Sequence, residues 1–324
     1  MKFFGKSGWI GVVLMTCLST GCGLAIAQDH KGPITLVVGY PPGGSADIGA
    51  RILAEKLPAI LGQSVVVDNR SGAGGQIAAR LVKSAPSNGS VLFFTNGHTV
   101  VTVPRIFKVP GFDTMTDFKP VGTFASFEFA LAVHPKTQAH SVQELVAYFA
   151  RTPADRSIAV PAPGSAPEFM VGRLAQLTKS DVQSVAYRGA APAVQDLLGG
   201  QVAAAVLPVA DILPYLKAGR LQAIAVTQAT ALLPHVPAFA DLGLGELAAS
   251  DFLAVYAPVG VSDDNVARVN AAIQKVLAMP DVSERIHSYA MQPLPGSPDD
   301  LRNRYLAASK TVGALMKAVD YQPQ

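Results

Sequence analysis

Residues 40–47, with the sequence YPPGGSAD, lie between an apolar run at 34–38 (ITLVV) and a segment whose apolar residues recur at helical spacing. The run is short and β-branched, which predicts a buried strand, and the helix is expected to begin near Ser45 or Asp47. Two prolines stiffen the turn, and two glycines let a ligand approach its backbone closely. The N–H groups of the first helical turn carry partial positive charge. The sequence therefore predicts a loop that binds an anion such as a carboxylate.

The first 27 residues have the pattern of a signal peptide. They begin with Lys2 and Lys6, continue with a mostly apolar core at 9–18, and end with the small residues 25–27 (AIA) before Gln28. This pattern predicts a periplasmic protein whose mature chain starts at Gln28. A lipoprotein signal is the second interpretation, because the sequence LSTGC resembles a lipidation box, and Cys22 would then carry the anchor.

The composition of the mature chain excludes several classes of function. Both cysteines, Cys17 and Cys22, precede Gln28, so disulfides and a thiol nucleophile are excluded. The formal charge is +1, from 24 basic and 23 acidic residues, which does not indicate binding to nucleic acid or to a charged membrane. No histidine pair has metal-ligand spacing, and no metal or cofactor is expected. About 300 residues are enough for two domains, each with its own core.

Strand-like and helix-like segments alternate through the chain, which predicts an α/β protein with largely parallel sheets. The predicted strands are 34–38, 65–68, 91–95, 124–133, 157–160, 183–186, 202–207, 221–227 and 252–257. The predicted helices are 47–61, 76–84, 141–150, 168–178, 191–198, 210–218, 263–278, 281–290 and 298–319. Pro58 predicts a kink or an early end in the first helix. Two α/β lobes would place a ligand cleft at the carboxyl ends of the strands, next to helix starts.

Three motifs in this order resemble the Bug receptors, the extracytoplasmic solute-binding proteins of tripartite tricarboxylate transporters. They are the 40–47 loop, 66–75 (VVDNRSGAGG), and 187–192 (YRGAAP) followed by 196–202 (DLLGGQV). The resemblance covers essentially the whole mature chain. It implies a two-lobed, type II-like periplasmic-binding-protein fold. Domain 1 would comprise 33–125 and 253–324, domain 2 would comprise 126–252, and two crossing strands would join them around the cleft.

The resemblance also implies that the 41–47 loop and the facing 164–167 loop hold one carboxylate of the ligand, with further contacts from the loop after the third strand and from the 187–192 motif. Replacing Gly44 with valine is expected to block close approach and any positive φ. The candidate ligand-binding residues are Tyr40, Gly44, Ser45, Ala46, Asp47, Asn96, His98, Thr99, Gly164, Ser165, Ala166, Tyr187, Gly189 and Ala190.

The chain departs from the family pattern on the far side of the cleft. Family members commonly carry acidic residues where this chain has Ala203 and Leu207, and Glu168 stands where the family often has histidine. Glu168 either interacts favourably with the positive N-terminal end of the helix dipole or faces the cleft, where it would repel a second carboxylate. The same question is open for Arg188. These departures favour a ligand with one carboxylate and an apolar or aromatic remainder.

Several of these residues also have a purely structural interpretation. Asp47 could cap its helix instead of contacting the ligand. The 71–75 loop is interpreted as a tight turn without a ligand role. Phe127, Phe129 and Tyr256 are interpreted as packing near the hinge and not as a stacking platform.

The sequence favours a non-enzymatic, monomeric receptor that delivers a small carboxylate to membrane transporter subunits. A receptor that presents its ligand to a sensor kinase would use the same closed shape and is the first alternative. A secreted serine hydrolase is the second, because Ser45 lies at a strand-to-helix turn. It is disfavoured because Asp47 stands where a nucleophile elbow requires glycine.

Overall fold

The computed structural model describes residues 32–323, so the predicted signal peptide and the alternative lipidation site lie outside the described residues. The strands are β1 (Ile34–Val38), β2 (Val65–Asn69), β3 (Val91–Asn96), β4 (Phe118–Phe127), β5 (Phe129–Val133), β6 (Ser157–Val160), β7 (Gln183–Ala186), β8 (Ala204–Pro208), β9 (Gln222–Val226), β10 (Asp251–Pro258) and β11 (Met291–Pro293). The α-helices are α1 (Ser45–Leu61), α2 (Gln76–Lys83), α3 (Val103–Ile106), α4 (Thr114–Asp117), α5 (Val142–Arg151), α6 (Ala166–Thr178), α7 (Ala190–Leu198), α8 (Val209–Lys217), α9 (Asp263–Leu277), α10 (Pro280–Ser288) and α11 (Pro298–Ala318). A π-helical segment, His98–Thr102, leads into α3.

The strands form two mixed sheets. The first has the order β11-β4-β10-β3-β1-β2 and the second has the order β7-β6-β8-β5-β9. Pairing is parallel between β1 and its neighbours β2 and β3, and between β6 and its neighbours β7 and β8. The other pairs are antiparallel. The prediction of an α/β protein is confirmed, but the prediction of largely parallel sheets is wrong for the strands next to the two crossings.

The chain crosses between the sheets at Glu128 and returns in the segment between β9 and β10. The sequence predicted one strand over 124–133, whereas β4 ends in the first sheet and β5 begins in the second. The carboxylate of Glu128 accepts a hydrogen bond from the Thr227 hydroxyl at 2.7 Å, which links the outgoing and returning chain. Division into domains at 125/126 and 252/253 stays a prediction, and both β4 and β10 extend past those positions.

Helix α1 packs closely on the first sheet because Gly49 faces it. A Cβ atom at Gly49 would lie 2.8 Å from the ring of Phe94 and 3.0 Å from the ring of Phe124. These two rings meet edge to face, with centroids 5.5 Å apart, and both are fully buried. The helix does not end early at Pro58. It continues to Leu61, where the Pro58 carbonyl accepts from the N–H of Gly62.

The closing helix α11 contacts a strand of the first sheet and a helix that packs beside the second. It packs against β4 in the first sheet, against α6 beside the second, and against the π-helical segment. It therefore forms a side wall where the two sheets meet. Within residues 32–323, no helix is both long and apolar enough to span a membrane.

Candidate functional site

A cavity lies between the two sheets, at the ends of β1, β3, β6, β7 and β8. Its volume, counted as the space open to the centre of a water-sized sphere, is about 100 Å³. Ten of the predicted site residues line it: Tyr40, Gly44, Ser45, Ala46, Asn96, His98, Ser165, Ala166, Gly189 and Ala190. Four predicted site residues are not part of the lining: Asp47, Thr99, Gly164 and Tyr187. Each of them instead makes hydrogen bonds within or next to a loop that does line the cavity.

The start of α1 presents backbone N–H groups to the cavity. Gly44 is the N-cap, with φ −83° and ψ 170°, and its carbonyl accepts the first intrahelical hydrogen bond from Ile48 at 2.9 Å. The N–H groups of Ser45 and Ala46 belong to the first turn and have no carbonyl one turn before them in the helix. The positive φ in this loop belongs to Gly43 (φ +89°), so the expectation that Gly44 needs it is wrong.

Serine at position 43 is expected to lower the free energy of unfolding by about 1 kcal/mol, whereas serine at position 44 is not. The φ of Gly43 is costly for a residue with a Cβ. Gly44 has an extended conformation, its Cβ would meet nothing closer than 4.0 Å, and serine is a favoured N-cap. Urea denaturation of Gly43→Ser and Gly44→Ser tests this. Equal losses in the two variants would contradict it.

Asp47 supports the α1 loop from behind instead of facing the cavity. Its Oδ2 accepts from the Gly43 N–H at 2.9 Å and from Arg51 at 2.8 Å, and its Oδ1 accepts from Asn69 at 3.0 Å. Burial raises the pKa of Asp47, but hydrogen bonds from Arg51, Gly43 and Asn69 outweigh burial and hold it below the ordinary value. Asp47 is not part of the lining within residues 32–323, and these contacts match its structural interpretation; direct contact between Asp47 and a ligand stays a prediction.

Tyr40 connects the α1 loop to the loop after β3. Its hydroxyl lies 3.0 Å from Asn96 Oδ1 and 3.0 Å from Thr99 Oγ1, and the Thr99 hydroxyl donates to the Gly74 carbonyl at 2.8 Å. Burial raises the pKa of Tyr40, so it stays protonated. Thr99 thus holds Tyr40 in place from outside the cavity. The 71–75 loop contributes a carbonyl to the same network, in agreement with its interpretation as a turn.

The start of α6 is a second helix N-terminus at the cavity. The Ser165 hydroxyl oxygen caps it by accepting from the Glu168 N–H at 3.4 Å. The Glu168 carboxylate accepts from the Gly164 N–H and, at 3.1 Å, from the Ser184 hydroxyl. Glu168 and Gly164 therefore fix the capping loop and do not line the cavity, which rules out the interpretation that Glu168 faces the cleft.

The start of α7 is a third N-terminus at the cavity, formed by Gly189 and Ala190. The Gly189 N–H donates to the Pro161 carbonyl at 2.8 Å, which joins this loop to the end of β6. Tyr187 points elsewhere: its hydroxyl donates to Asp196 at 2.7 Å, and burial together with Asp196 raises its pKa to about 12. Arg188 is exposed and is not part of the lining.

Two acidic residues line the cavity that the sequence analysis missed, Asp211 and Asp251. Asp211 lies in the first turn of α8, and burial raises its pKa to about 7 against an opposing hydrogen bond from the Ser45 N–H. Asp251 begins β10 and accepts from the N–H groups of Gly97 (2.8 Å) and Phe252 (2.7 Å). Burial raises its pKa to about 6. The sequence does offer one signal for Asp211, because α8 begins directly at the end of β8.

Donors for an anion at this cavity come from the backbone and not from cationic side chains. The lining found among residues 32–323 includes neither lysine nor arginine. His98 lines the cavity, but burial lowers its pKa to about 4, so it is neutral at pH 7. Its ring nitrogens have no hydrogen-bond partner in the described part of the chain. Helix N-termini attract anions by their N–H groups and dipoles, so the cavity is suited to one carboxylate.

One wall of the cavity is apolar and aromatic. Phe127 and Phe129, on either side of the crossing, meet edge to face with centroids 5.5 Å apart and both line the cavity. Val101 and Val312 extend the wall. The interpretation of the two phenylalanines as hinge packing is therefore incomplete. Tyr256 is buried but is not part of this lining.

Comparison with known proteins identifies the family. The model of the tripartite tricarboxylate transporter family receptor matches residues 49–321. The chain belongs to this receptor family. It is 31% identical to Protein BugT of Bordetella pertussis strain Tohama I over 321 residues, which cover 95% of this chain and 97% of BugT.

Solved structures of similar sequence have the same fold as this receptor. Rpa4515 of R. palustris with adipate is 29% identical and has a TM-score of 0.86, covering 91% of the receptor and 99% of Rpa4515. MatC from Rhodopseudomonas palustris with bound malate is 26% identical and has a TM-score of 0.79, covering 89% of the receptor and 98% of MatC. The resemblance to Bug receptors and the predicted fold are confirmed. The receptor is a solute-binding protein of a family that acts outside the cytoplasm with transporter subunits.

Proposed function

We propose that this receptor binds a small organic carboxylate in the cavity between its sheets and presents it to membrane subunits of a tripartite tricarboxylate-type transporter. The observation that carries the proposal is the convergence of three helix N-termini, those of α1, α6 and α7, on a cavity without lysine or arginine in its described lining. Similar proteins have been solved with adipate and with malate.

The ligand carboxylate would lie between the starts of α1 and α6. Ala46 offers an N–H group from the start of α1, and Ser165 and Ala166 offer a hydroxyl and an N–H from the start of α6. The remainder of the ligand would pack on Phe127 and its apolar neighbours. One buried water needs about 10–15 Å³ by the same volume measure, so the cavity has room for about seven to ten non-hydrogen atoms.

A ligand in this position would bridge the two sheets and so favour their closed arrangement. We propose that the receptor is exported by its signal peptide, acts as a monomer in the periplasm, and has no catalytic role. Anchoring through Cys22 and presentation to a sensor kinase are the alternatives, and both would use the same cavity. Purification from a periplasmic extract followed by native mass spectrometry would detect a trapped carboxylate.

Ser165 is expected to contribute about 1 kcal/mol to ligand binding, the usual net size of one hydrogen bond. Its oxygen accepts from the Glu168 N–H, so its own O–H remains to donate to a carboxylate. Ser141 is a matched control, because it caps α5 in the same way, accepting from the Glu144 N–H at 3.1 Å, and does not line the cavity.

The test compares Ser165→Ala and Ser141→Ala in thermal-shift titrations with a panel of mono- and dicarboxylates. A ligand at 100 times its Kd should stabilise the protein by about 2.7 kcal/mol. Both variants should lose about 1 kcal/mol of stability through the lost cap, but only Ser165→Ala should bind about fivefold more weakly. If no carboxylate stabilises the wild-type protein, the proposed function is wrong.

A further inference from the structure

The acidic groups at the cavity are not equivalent. Asp251 already accepts hydrogen bonds from the N–H groups of Gly97 and Phe252, both within 2.8 Å. Asp211 has one hydrogen bond within residues 32–323, from the Ser45 N–H. An ionised carboxylate can accept about four. Asp211 is half-buried and lines the cavity. Its carboxylate oxygens can therefore accept further hydrogen bonds from a ligand bound there.

Asp211 also lies next to the proposed carboxylate position. It comes from α8, beside the second sheet, and its partner Ser45 begins α1 on the first. Ala46, the next residue of α1, offers a donor for the ligand carboxylate. A substituent on the ligand carbon that carries this carboxylate would therefore lie close to Asp211.

A cationic substituent fits this position and an anionic one does not. Opposite charges attract, and like charges repel, more strongly in a partly buried cavity than in water. A second carboxylate would face Asp211 and Asp251, with Glu128 behind Asp251 and no lysine or arginine in the described lining. An ammonium group would instead pair with Asp211, and the apolar wall at Phe127 would receive an uncharged side chain.

We propose that the solute is an α-amino carboxylate with an apolar side chain, and that Asp211 binds its ammonium group while the starts of α1 and α6 bind its carboxylate. The inference rests on the proposed function and names the ligand class for that site. A second observation at the cavity is His98, which is 7% exposed and has no partner for either ring nitrogen among the described residues. Neutral His98 can hydrogen-bond to the ligand without adding charge.

The test uses three matched pairs of probes that differ only in the amino group: L-valine and 3-methylbutanoate, L-leucine and 4-methylpentanoate, and L-isoleucine and 3-methylpentanoate. Calorimetric titration of the mature protein, residues 28–324, should give a Kd at least tenfold lower for the amino acid of the best pair. Adipate is the dicarboxylate control. The preference for the amino acid over its desamino partner should disappear in Asp211→Asn. It should persist in the control variant Asp264→Asn, because Asp264 is exposed.

The pH dependence separates a direct ionic contact from an indirect effect. Ammonium binding needs ionised Asp211, so amino-acid affinity should fall between pH 8 and pH 5.5, while the desamino member should bind more tightly at the lower pH. The other titratable residues of the lining are Tyr40, His98 and Asp251, with Glu128 acting on Asp251. The Asp211→Asn variant keeps the contribution of these other groups to the pH dependence of binding and removes only the contribution of Asp211.

Each result decides between the inference and its alternatives. Equal or tighter binding of the desamino members or of adipate, or an amino preference that survives in Asp211→Asn, would overturn the inference and leave the proposed function intact. Tighter desamino binding that increases at low pH would show that protonated Asp211 donates to a simple carboxylate. Absence of binding by every carboxylate would overturn the proposed function as well.

Discussion

Asp47→Asn is expected to lower the free energy of unfolding by about 2 kcal/mol at pH 7, because it removes a carboxylate that accepts three hydrogen bonds. The donors are the Gly43 N–H, Arg51 and Asn69. An amide has one oxygen, so its NH₂ group would face a donor on one side. Asn69 cannot turn freely to compensate, because it also donates to the Tyr40 carbonyl at 3.0 Å.

The pH dependence and a control identify the cause of this loss. The pKa of Asp47 lies below the ordinary 3.8, so its stabilisation is complete above about pH 4 and is lost as the pH falls through the folded-state pKa. The difference between Asp47→Asn and wild type should therefore shrink in acid. Asp68→Asn, which breaks an exposed pair with Arg70, should change stability by less than about 0.5 kcal/mol. Equal denaturation midpoints for wild type and Asp47→Asn at pH 7 would refute the prediction.

Local sequence predicted the elements that begin the site but not the way the strands pair. The apolar, β-branched runs of β1 and β6 lie where they were predicted, because a buried strand is visible in its own residues. The antiparallel pairing of β10 with β3 and β4 depends on partners about 130 to 160 residues away. The break between β4 and β5 at Glu128 was missed because the residues on both sides of it are mostly apolar and predict one continuous strand.

The same limit applies to the candidate site. Ser45 and Ser165 could be placed at the cavity because a strand end followed by a helix start is visible locally. Thr99 follows the end of β3 and Tyr187 follows the end of β7, but their side chains turn away from the cavity to hydrogen-bond Tyr40 and Asp196. The position of a residue in a strand-end loop does not show the direction of its side chain. Asp251 was missed because β10 runs antiparallel to β3, so its beginning, and not its end, lies at the cavity.

Asp211→Asn is expected to have the opposite effect to Asp47→Asn: it should raise the free energy of unfolding of the ligand-free protein by about 4 kcal/mol at pH 8. Burial raises the pKa of Asp211 from 3.8 to about 7. The folded protein therefore holds a proton that the unfolded chain has lost between about pH 4 and pH 7. Across this window the stability of the wild-type protein falls as the pH rises, and above it the full cost of burying the charge remains.

Urea denaturation at pH 4, 6 and 8 should show the two proteins nearly equal at pH 4 and furthest apart at pH 8. The pKa of Asp251 is raised to about 6. Its ionisation should therefore lower the stability of both the wild type and Asp211→Asn between about pH 4 and pH 6. Equal stability at pH 8 would contradict the prediction. The same substitution is expected to remove the preference for an amino ligand, and a general loss of structure cannot both stabilise the empty protein and weaken its binding. A more stable variant with lost selectivity would therefore show that Asp211 is kept in this cavity at the expense of stability, as expected for a residue that binds the ligand.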